Sequence, residues 1–93
     1  MYTTTFTPTN VLAFHTVMSD LSRFHLLLEQ SEIERVCIDL SGVLQCDSAG
    51  LALLIEAKRL CQRHGKHLVV EGMPTQVSAL AEFCGVHSLW SGI

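Results

Sequence analysis

Two polar side chains stand directly before the most apolar segment of the chain. Asp47 and Ser48 precede Ala49, Gly50 and Leu51. If a helix begins here, its free backbone N–H groups and its dipole attract an anion, so a phosphoryl group on Ser48 would be stabilised. The alternative is that Asp47 or Ser48 is simply an N-cap, which contributes about 1 kcal/mol. The pattern alone leaves both interpretations open.

Ser48 could also act as a nucleophile, which requires a nearby base and an oxyanion hole. No Gly-x-Ser-x-Gly elbow surrounds it, and the sequence has no glycine-rich loop of the kind that cradles a phosphate. We therefore expect no enzymatic activity and no cofactor. The histidines are expected to be surface or core residues; they are His15, His25, His64, His67 and His87.

A metal site must be considered because Cys61, His64 and His67 are spaced by three residues. A structural zinc site is tetrahedral, and no fourth ligand lies nearby in the sequence. Gly65 also interrupts the helix between the two histidines. We therefore expect no bound metal.

The termini and cysteines indicate a cellular compartment. Residues 1–10 lack the basic and apolar regions of a secretory signal, and the longest aliphatic run, residues 51–55, is far shorter than the about 20 residues of a membrane span. A cytosolic location is expected, with the thiols reduced. Cys37 and Cys84 lie in apolar runs and are expected to pack as small hydrophobic residues; the other cysteines are Cys46 and Cys61.

The composition favours an interaction module. Hydrophobic residues make up 48% of the 93 residues and charged residues 16%, which excludes a disordered chain. The net charge of −3 provides no basic field for nucleic acid. A domain this small leaves part of its apolar surface exposed, and such surface often binds a partner.

A cluster of basic residues has two interpretations. It comprises Lys58, Arg59, Arg63 and Lys66. The cluster either forms the solvated C-terminal end of a helix, where cations are favoured, or contacts a phosphate or an anionic lipid.

The first third of the chain predicts two strands and a helix. Residues 3–7 are threonine-rich and end at Pro8, and residues 11–17 are largely apolar, so the two segments are expected to form a β-hairpin. Ser19 or Asp20 is expected to cap a helix that ends near residues 29–31. Its buried stripe consists of Leu21, Phe24, Leu27 and Leu28.

The remaining pattern alternates strands and helices. Strands are predicted at residues 35–40 and 68–71, with a helix between them that begins after Asp47 or Ser48 and ends at Gly65. A last helix begins at Pro74 and ends at Gly85, and residues 86–93 form a tail in which Trp90 covers an edge. The predicted order is β-β-α-β-α-β-α, in one α/β domain over residues 1–93 with helices packed on a small mixed β-sheet.

The long helix carries more apolar residues than one buried face requires. Residues 51–55 are all apolar, whereas a surface helix needs a stripe of only about 100°. Either the domain itself buries both sides of the first turns, or one side is left for a partner. Because the domain is small, we expect the second arrangement, with Gly50 keeping the turn slim enough for close approach.

These residues also carry a resemblance. Asp39-Leu40-Ser41-Gly42-Val43, followed by Asp47-Ser48-Ala49-Gly50-Leu51, resembles the STAS domain of anti-sigma factor antagonists and of sulfate-transporter cytosolic tails. The similarity covers residues 36–85. Its continuation, Gly50-Leu51-Ala52-Leu53-Leu54 with the strand Leu68-Val69-Val70-Glu71-Gly72, is most similar to the STAS subunits of phospholipid-trafficking ABC transporters of the Mla type.

The resemblance implies a non-catalytic cytosolic subunit that binds the ATPase subunit of an ABC transporter and is membrane-associated only through that complex. Ser48 occupies the key hydroxyl position of the family, with an interface implied at Asp47, Ala49, Gly50, Leu51 and Ala52. The alternative is an anti-sigma factor antagonist switched by phosphorylation of Ser48.

Two departures from the family pattern bear on this choice. The family's Gly-x-Leu/Ile-Asp signature on the second strand is replaced by Phe14-His15-Thr16-Val17-Met18, and residue 49 is Ala where sigma-regulating members usually carry a second hydroxyl. The second departure favours the transporter interpretation.

Overall fold

The computed structural model describes residues 2–86 and residue 88. Its helices are α1 (Val17–Leu28), α2 (Ser48–Arg63) and α3 (Thr75–Phe83). Its strands are β1 (Tyr2–Phe6), β2 (Val11–Leu12), β3 (Ile33–Asp39), β4 (Gln45–Cys46) and β5 (His67–Glu71).

The main sheet is parallel and has the strand order β1-β3-β5. The connection from β1 to β3 contains α1, and the connection from β3 to β5 contains α2, as parallel neighbours require a crossover of a dozen or more residues. The predicted α/β class is confirmed, although every strand pair among the described residues is parallel and the sheet is not mixed. The central strand β3 is rich in β-branched residues and places Val36 and Ile38 in the core.

The predicted hairpin between the first two strands is wrong. β1 pairs parallel with β3, and β2 instead pairs parallel with β4 in a separate two-stranded ladder. The segment between them is held to α1, because the Thr9 hydroxyl donates a hydrogen bond of 2.8 Å to a carboxylate oxygen of Asp20. This contact leads the chain away from β1, so the two strands do not pair with each other.

The second strand is also shorter than predicted, because the chain turns at Ala13. The carbonyl of Ala13 accepts hydrogen bonds from the backbone N–H groups of Thr16 and Val17. The Thr16 hydroxyl donates to the carbonyl of Val11 at 2.6 Å and accepts from the N–H of Ala13 at 3.0 Å. Helix α1 therefore begins at Val17, within the segment that the sequence pattern predicted as a strand.

Asp20 is not the cap of α1 but a buried residue inside it. Its side chain is fully enclosed and pairs with Arg23 at 2.8 Å. Its other interactions come from the hydroxyl and the backbone N–H of Thr9. The predicted N-cap at Ser19 or Asp20 is therefore wrong, and Thr16 occupies that position.

The later predicted elements are confirmed. β3, α2, β5 and α3 begin and end close to the predicted residues. Gly65 follows the last residues of α2 with φ of +69°, a conformation that glycine adopts at little cost. Strand β4 has only two residues and was not predicted. Most of the expected tail, including Trp90, lies outside the described residues.

The hydrophobic core lies between the sheet and the helices α1 and α2. Its largest fully buried side chains include Phe24 and Leu28 of α1 and Leu54 of α2. The ring of Phe6 meets that of Phe24 edge-on, with centroids 5.2 Å apart. Within residues 2–86 and 88, no helix has the length and hydropathy needed to span a membrane.

Candidate functional site

The N-terminus of α2 is organised by Asp47. Its Oδ1 atom accepts hydrogen bonds from the backbone N–H groups of Ala49 at 2.9 Å and Gly50 at 3.1 Å. These are two of the N–H groups that have no partner within a helix. Asp47 is thus the N-cap, which decides between the two capping residues considered from the sequence.

The same carboxylate also holds the segment that precedes α1. Its Oδ2 atom accepts a hydrogen bond of 3.3 Å from the backbone N–H of Phe14. The bonds from Gly50, Phe14 and Ala49 together hold the pKa of Asp47 below its ordinary value, with the Gly50 bond as the largest cause. Asp47 therefore joins two segments that are far apart in the sequence.

Gly50 lies where the backbone of β2 passes closest to α2. A Cβ atom at this position would collide with the carbonyl oxygen of Leu12 and would lie 2.7 Å from the Leu12 Cβ and 2.8 Å from the Cys46 Sγ. The expectation that Gly50 permits close approach is correct in kind, but the approaching surface belongs to the domain itself. Gly50 is buried within the domain and is not part of its surface.

Leu51 is buried as well, with 3% of its side chain exposed. Because α2 contacts both α1 and α3, the domain covers more of the helix than the favoured interpretation of the sequence pattern indicated. The apolar run is thus partly internal: Leu53 and Leu54 are buried, whereas Ala52 and Ile55 are exposed. The surface part of the expected interface consists of Asp47, Ser48, Ala49 and Ala52.

Ser48 is the first residue of α2 and its side chain is exposed. The capping bonds come from Asp47, and the Ser48 hydroxyl has no hydrogen-bond partner in the part of the chain that the structure describes. The hydroxyl is therefore available to a partner or to a modifying group, and its loss removes no cap.

A shallow groove of about 320 Å³ lies between α1 and α2, next to Ser48. Ala49 and Ala52 of α2 form part of its lining, and the small side chains leave the space open. The other wall is apolar and comes from α1. It is formed by Val17, Met18 and Leu21.

One charged side chain borders this groove. Glu56 lines it and is paired with Arg59 one turn later on α2, whose Nε donates to Glu56 Oε1 at 2.9 Å. The hydrogen bond from Arg59 is the main reason that the pKa of Glu56 lies below its ordinary value. The groove is therefore lined mainly by apolar side chains, and its carboxylate is paired with the guanidinium of Arg59.

The pattern-based interpretation of the sequence missed two large exposed apolar residues close to this site. Phe14 has 82% of its side chain exposed and Met18 has 69%. Phe14 lies in the turn that Asp47 holds, and Met18 lines the groove. Both fell within or beside a segment predicted as a strand, so their position near the N-terminus of α2 could not be anticipated.

The basic cluster is divided by the fold. The Lys66 ammonium donates to the carbonyl oxygens of Gln30 at 3.0 Å and Ile33 at 2.6 Å, so it joins the α1–β3 loop to the end of α2. Arg59 is paired with Glu56. The arrangement favours separate structural and surface roles over one anion-binding patch.

The cysteines occupy two different environments. Cys37, Cys46 and Cys61 are buried, and desolvation is the main reason that the pKa of each rises to about 11. Cys37 also donates a hydrogen bond of 2.9 Å to Glu71. Cys84 is exposed at the C-terminus of α3, so the prediction that it is a core residue is wrong. Among the residues described, no group of three or more His, Cys, Asp or Glu side chains could hold a metal ion.

The comparison with protein families agrees with this architecture. The model of the family described as "Mlab, STAS domain" matches residues 13–91, which is most of the chain. No curated protein matches the chain significantly. The matched region begins after β2, so it contains α1, α2, α3 and the two later strands of the main sheet but not β1.

The match includes the α2 N-terminus, with Asp47, Ser48 and the groove beside them. STAS domains are generally regulatory or binding domains without catalytic activity. The structure and the family match lead to the same conclusion: the chain belongs to the MlaB-like STAS domain family.

Proposed function

We propose that this protein is a non-catalytic regulatory subunit that binds the ATPase subunit of an ABC transporter. In this role it supports a transporter that moves phospholipids and maintains the lipid asymmetry of the outer membrane. It acts at the cytoplasmic face of the inner membrane, which it reaches through the ATPase subunit and the permease. The MlaB-like family membership supports this proposal over other STAS functions.

One observation supports the proposed interface most directly. Ser48 is exposed at the start of α2, its hydroxyl has no capping role, and the next residue, Ala49, lines an apolar groove. A polar side chain close to exposed apolar surface is typical of a protein interface, where a few hydrogen bonds provide specificity and apolar burial provides affinity. The surface comprises Phe14, Met18, Ser48, Ala49 and Ala52, and we refer to it as the α2 surface.

The experiment is affinity purification of the chain from its native cell, where its candidate partners are expressed with it. Mass spectrometry of the purified material should recover an ABC ATPase subunit and its permease. The purified ATPase subunit should form a complex with the chain, and its ATP turnover should fall when the chain is removed. Failure to bind the ATPase subunit would contradict the proposal.

The second candidate function is that of an anti-sigma factor antagonist. The exposed Ser48 hydroxyl at a helix N-terminus supports it, because a phosphoryl group there would be stabilised by the helix dipole. Ala49 argues against it, since sigma-regulating members usually carry a second hydroxyl at this position. Recovery of a serine kinase and a sigma factor, with phosphate on Ser48, would favour this candidate over the transporter subunit.

A further inference from the structure

Strand β1 forms one edge of the main sheet. It pairs with β3 on one side, and within residues 2–86 and 88 no strand pairs with its other side. An edge strand presents a row of unpaired backbone N–H and C=O groups, which readily pair with another strand. This edge lies on α1's side of the domain, because Phe6 of β1 packs on Phe24.

The sequence of β1 lacks the features that usually protect an edge. Its residues are Tyr-Thr-Thr-Thr-Phe, with no charge and no proline, and their β-branched and aromatic side chains favour extended structure. The irregularity in its pairing lies at the first step, between Tyr2 and Thr3, so the rest of the strand is regular. The opposite edge strand, β5, begins with His67 and ends with Glu71.

We propose that β1 pairs antiparallel with β1 of a second copy of this chain, so that two sheets join across a two-fold axis at Thr4. An antiparallel pair of identical strands is self-complementary, as a symmetric dimer requires. With the axis at Thr4 all five residues are paired, and Thr3 of each copy faces Thr5 of the other. Threonines in such cross-strand positions contribute favourably to pairing.

The ends of the strand are complementary in the same register. Tyr2 has 55% of its side chain exposed, and it would face Phe6 of the second copy. The guanidinium of Arg23 lies 4.9 Å from the centre of the Phe6 ring. The aromatic ring of Tyr2 would thus join an existing pair of a cation and an aromatic ring, an arrangement that is favourable.

The length of the strand limits the strength of the dimer. Five paired residues span about 17 Å, so we expect a reversible equilibrium between monomer and dimer. Sedimentation equilibrium of the purified chain should show dimer at high concentration and monomer at low concentration. Amide hydrogen exchange in β1 should become slower as the dimer forms. A chain that is monomeric at all concentrations would overturn the proposal, as would β1 amides protected to the same extent throughout.

A matched pair of variants tests the register. In Thr3→Glu/Thr5→Glu, glutamates of the two copies face each other, and the dimer should be lost. In Thr3→Glu/Thr5→Lys, each glutamate faces a lysine, and the dimer should return. Both positions are exposed, and the Thr3→Glu change beside Arg35 is common to both variants, so they differ only in the residue that replaces Thr5. Dimerisation of the first variant at the wild-type level, or no recovery in the second, would overturn the antiparallel pairing.

Discussion

At the scale of single residues, Asp47 and Ser48 are neighbours with separate roles. The carboxylate of Asp47 receives the N–H groups of the first turn of α2 and the N–H of Phe14, whereas the hydroxyl of Ser48 is exposed. A residue that stabilises the fold is expected to affect unfolding when it is replaced. A residue that only faces a partner is expected to affect binding when it is replaced. The roles of Asp47 and Ser48 can therefore be distinguished by measuring stability and binding separately.

Replacement of Ser48 should separate binding from stability. Ser48→Ala removes an exposed hydroxyl that has no capping role and should change stability by no more than about 0.5 kcal/mol. Ser48→Asp places a negative charge at a helix N-terminus, favourable by roughly 0.3–1 kcal/mol before repulsion from Asp47 is subtracted, so this variant should be at least as stable as the alanine variant. The carboxylate of Ser48→Asp must lose its hydration at the interface. This variant should therefore bind the ATPase subunit at least about tenfold more weakly than Ser48→Ala.

Thermal melts and binding titrations of the two Ser48 variants provide the measurement. Equal affinity of both variants for the ATPase subunit would remove Ser48 from the interface.

Asp47 should contribute to stability in a pH-dependent way. Its folded-state pKa lies below the ordinary value for Asp, so the unfolded chain binds a proton more readily than the folded chain. The stabilisation is therefore complete above the ordinary pKa of about 3.9 and is lost as the pH falls towards the folded-state pKa. Asp47→Asn should lower the melting temperature at neutral pH, and the difference from wild type should shrink in acid.

Melting curves across this pH range check the Asp47 prediction. The comparison with the variant isolates Asp47 from Asp39 and Glu56, whose pKa values also lie below their ordinary values. A difference between wild type and variant that does not depend on pH would contradict the lowered pKa of Asp47 in the folded state.

The thiols should react in two classes. Cys84 is exposed, whereas the other three cysteines are buried and their pKa values are raised to about 11. The thiolate is the reactive form, so a thiol reagent should label the native protein at Cys84 alone. Mass spectrometry should find labels on Cys37, Cys46 and Cys61 only after denaturation. Rapid labelling of any of these three in the native protein would contradict the placement of the core.

At the scale of elements, the contact between β2 and α2 decides the shape of the site. Gly50 lets the backbone of β2 cross the first turn of α2, and Asp47 then holds the following turn through Phe14. As a result Phe14 is presented beside the α2 N-terminus. The surface proposed for the partner therefore depends on this crossing.

Gly50→Ala should be destabilising although alanine is the better helix former by about 1 kcal/mol. The new methyl group would collide with Leu12, and overpacking of this kind typically costs roughly 1–3 kcal/mol. Gly42→Ala is the matched control, because a Cβ there would meet only the Asn10 side chain at an ordinary distance of 3.7 Å. Urea unfolding should show a lower midpoint for the first variant and little change for the second; equal midpoints would contradict the close crossing.

The elements that sequence patterns predicted correctly are those with strong local signals. Helix α2 has a capping residue at one end and Gly65 at the other, and β3 and β5 have alternating or continuous apolar residues. The start of α1 depends instead on the Thr16 side chain and on Asp47, which lies 33 residues from Phe14. No local pattern carries that information, and residues 11–17 therefore resembled a strand.

Some residues of the candidate site could be predicted from the sequence and others could not. Ser48 and Ala49 could be placed on the surface from the family pattern. The burial of Leu51 was one of two alternatives and was not the preferred one, because helical periodicity does not reveal that α2 contacts both α1 and α3. The α1 wall of the groove was missed because Val17 and Met18 were not expected to belong to one helix face.

At the scale of the whole molecule, the domain presents two surfaces with different chemistry. The α2 surface combines apolar side chains with the exposed Ser48 and is suited to a protein partner, whereas the β1 edge consists of backbone hydrogen-bonding groups and is suited to a second strand. The two surfaces share no residues.

The most direct test of the account is the affinity of Ala49→Arg for the ATPase subunit. Ala49 is half-buried at the edge of the groove, where an arginine can extend into solvent in the free domain but must be desolvated without a partner charge in the complex. Ala79→Arg is the matched control, because Ala79 is an exposed helical alanine on α3, outside the groove. Both variants should melt close to the wild-type temperature; Ala79→Arg should bind normally and Ala49→Arg should not bind. Wild-type affinity of a folded Ala49→Arg variant would contradict the proposal that the α2 surface binds the partner.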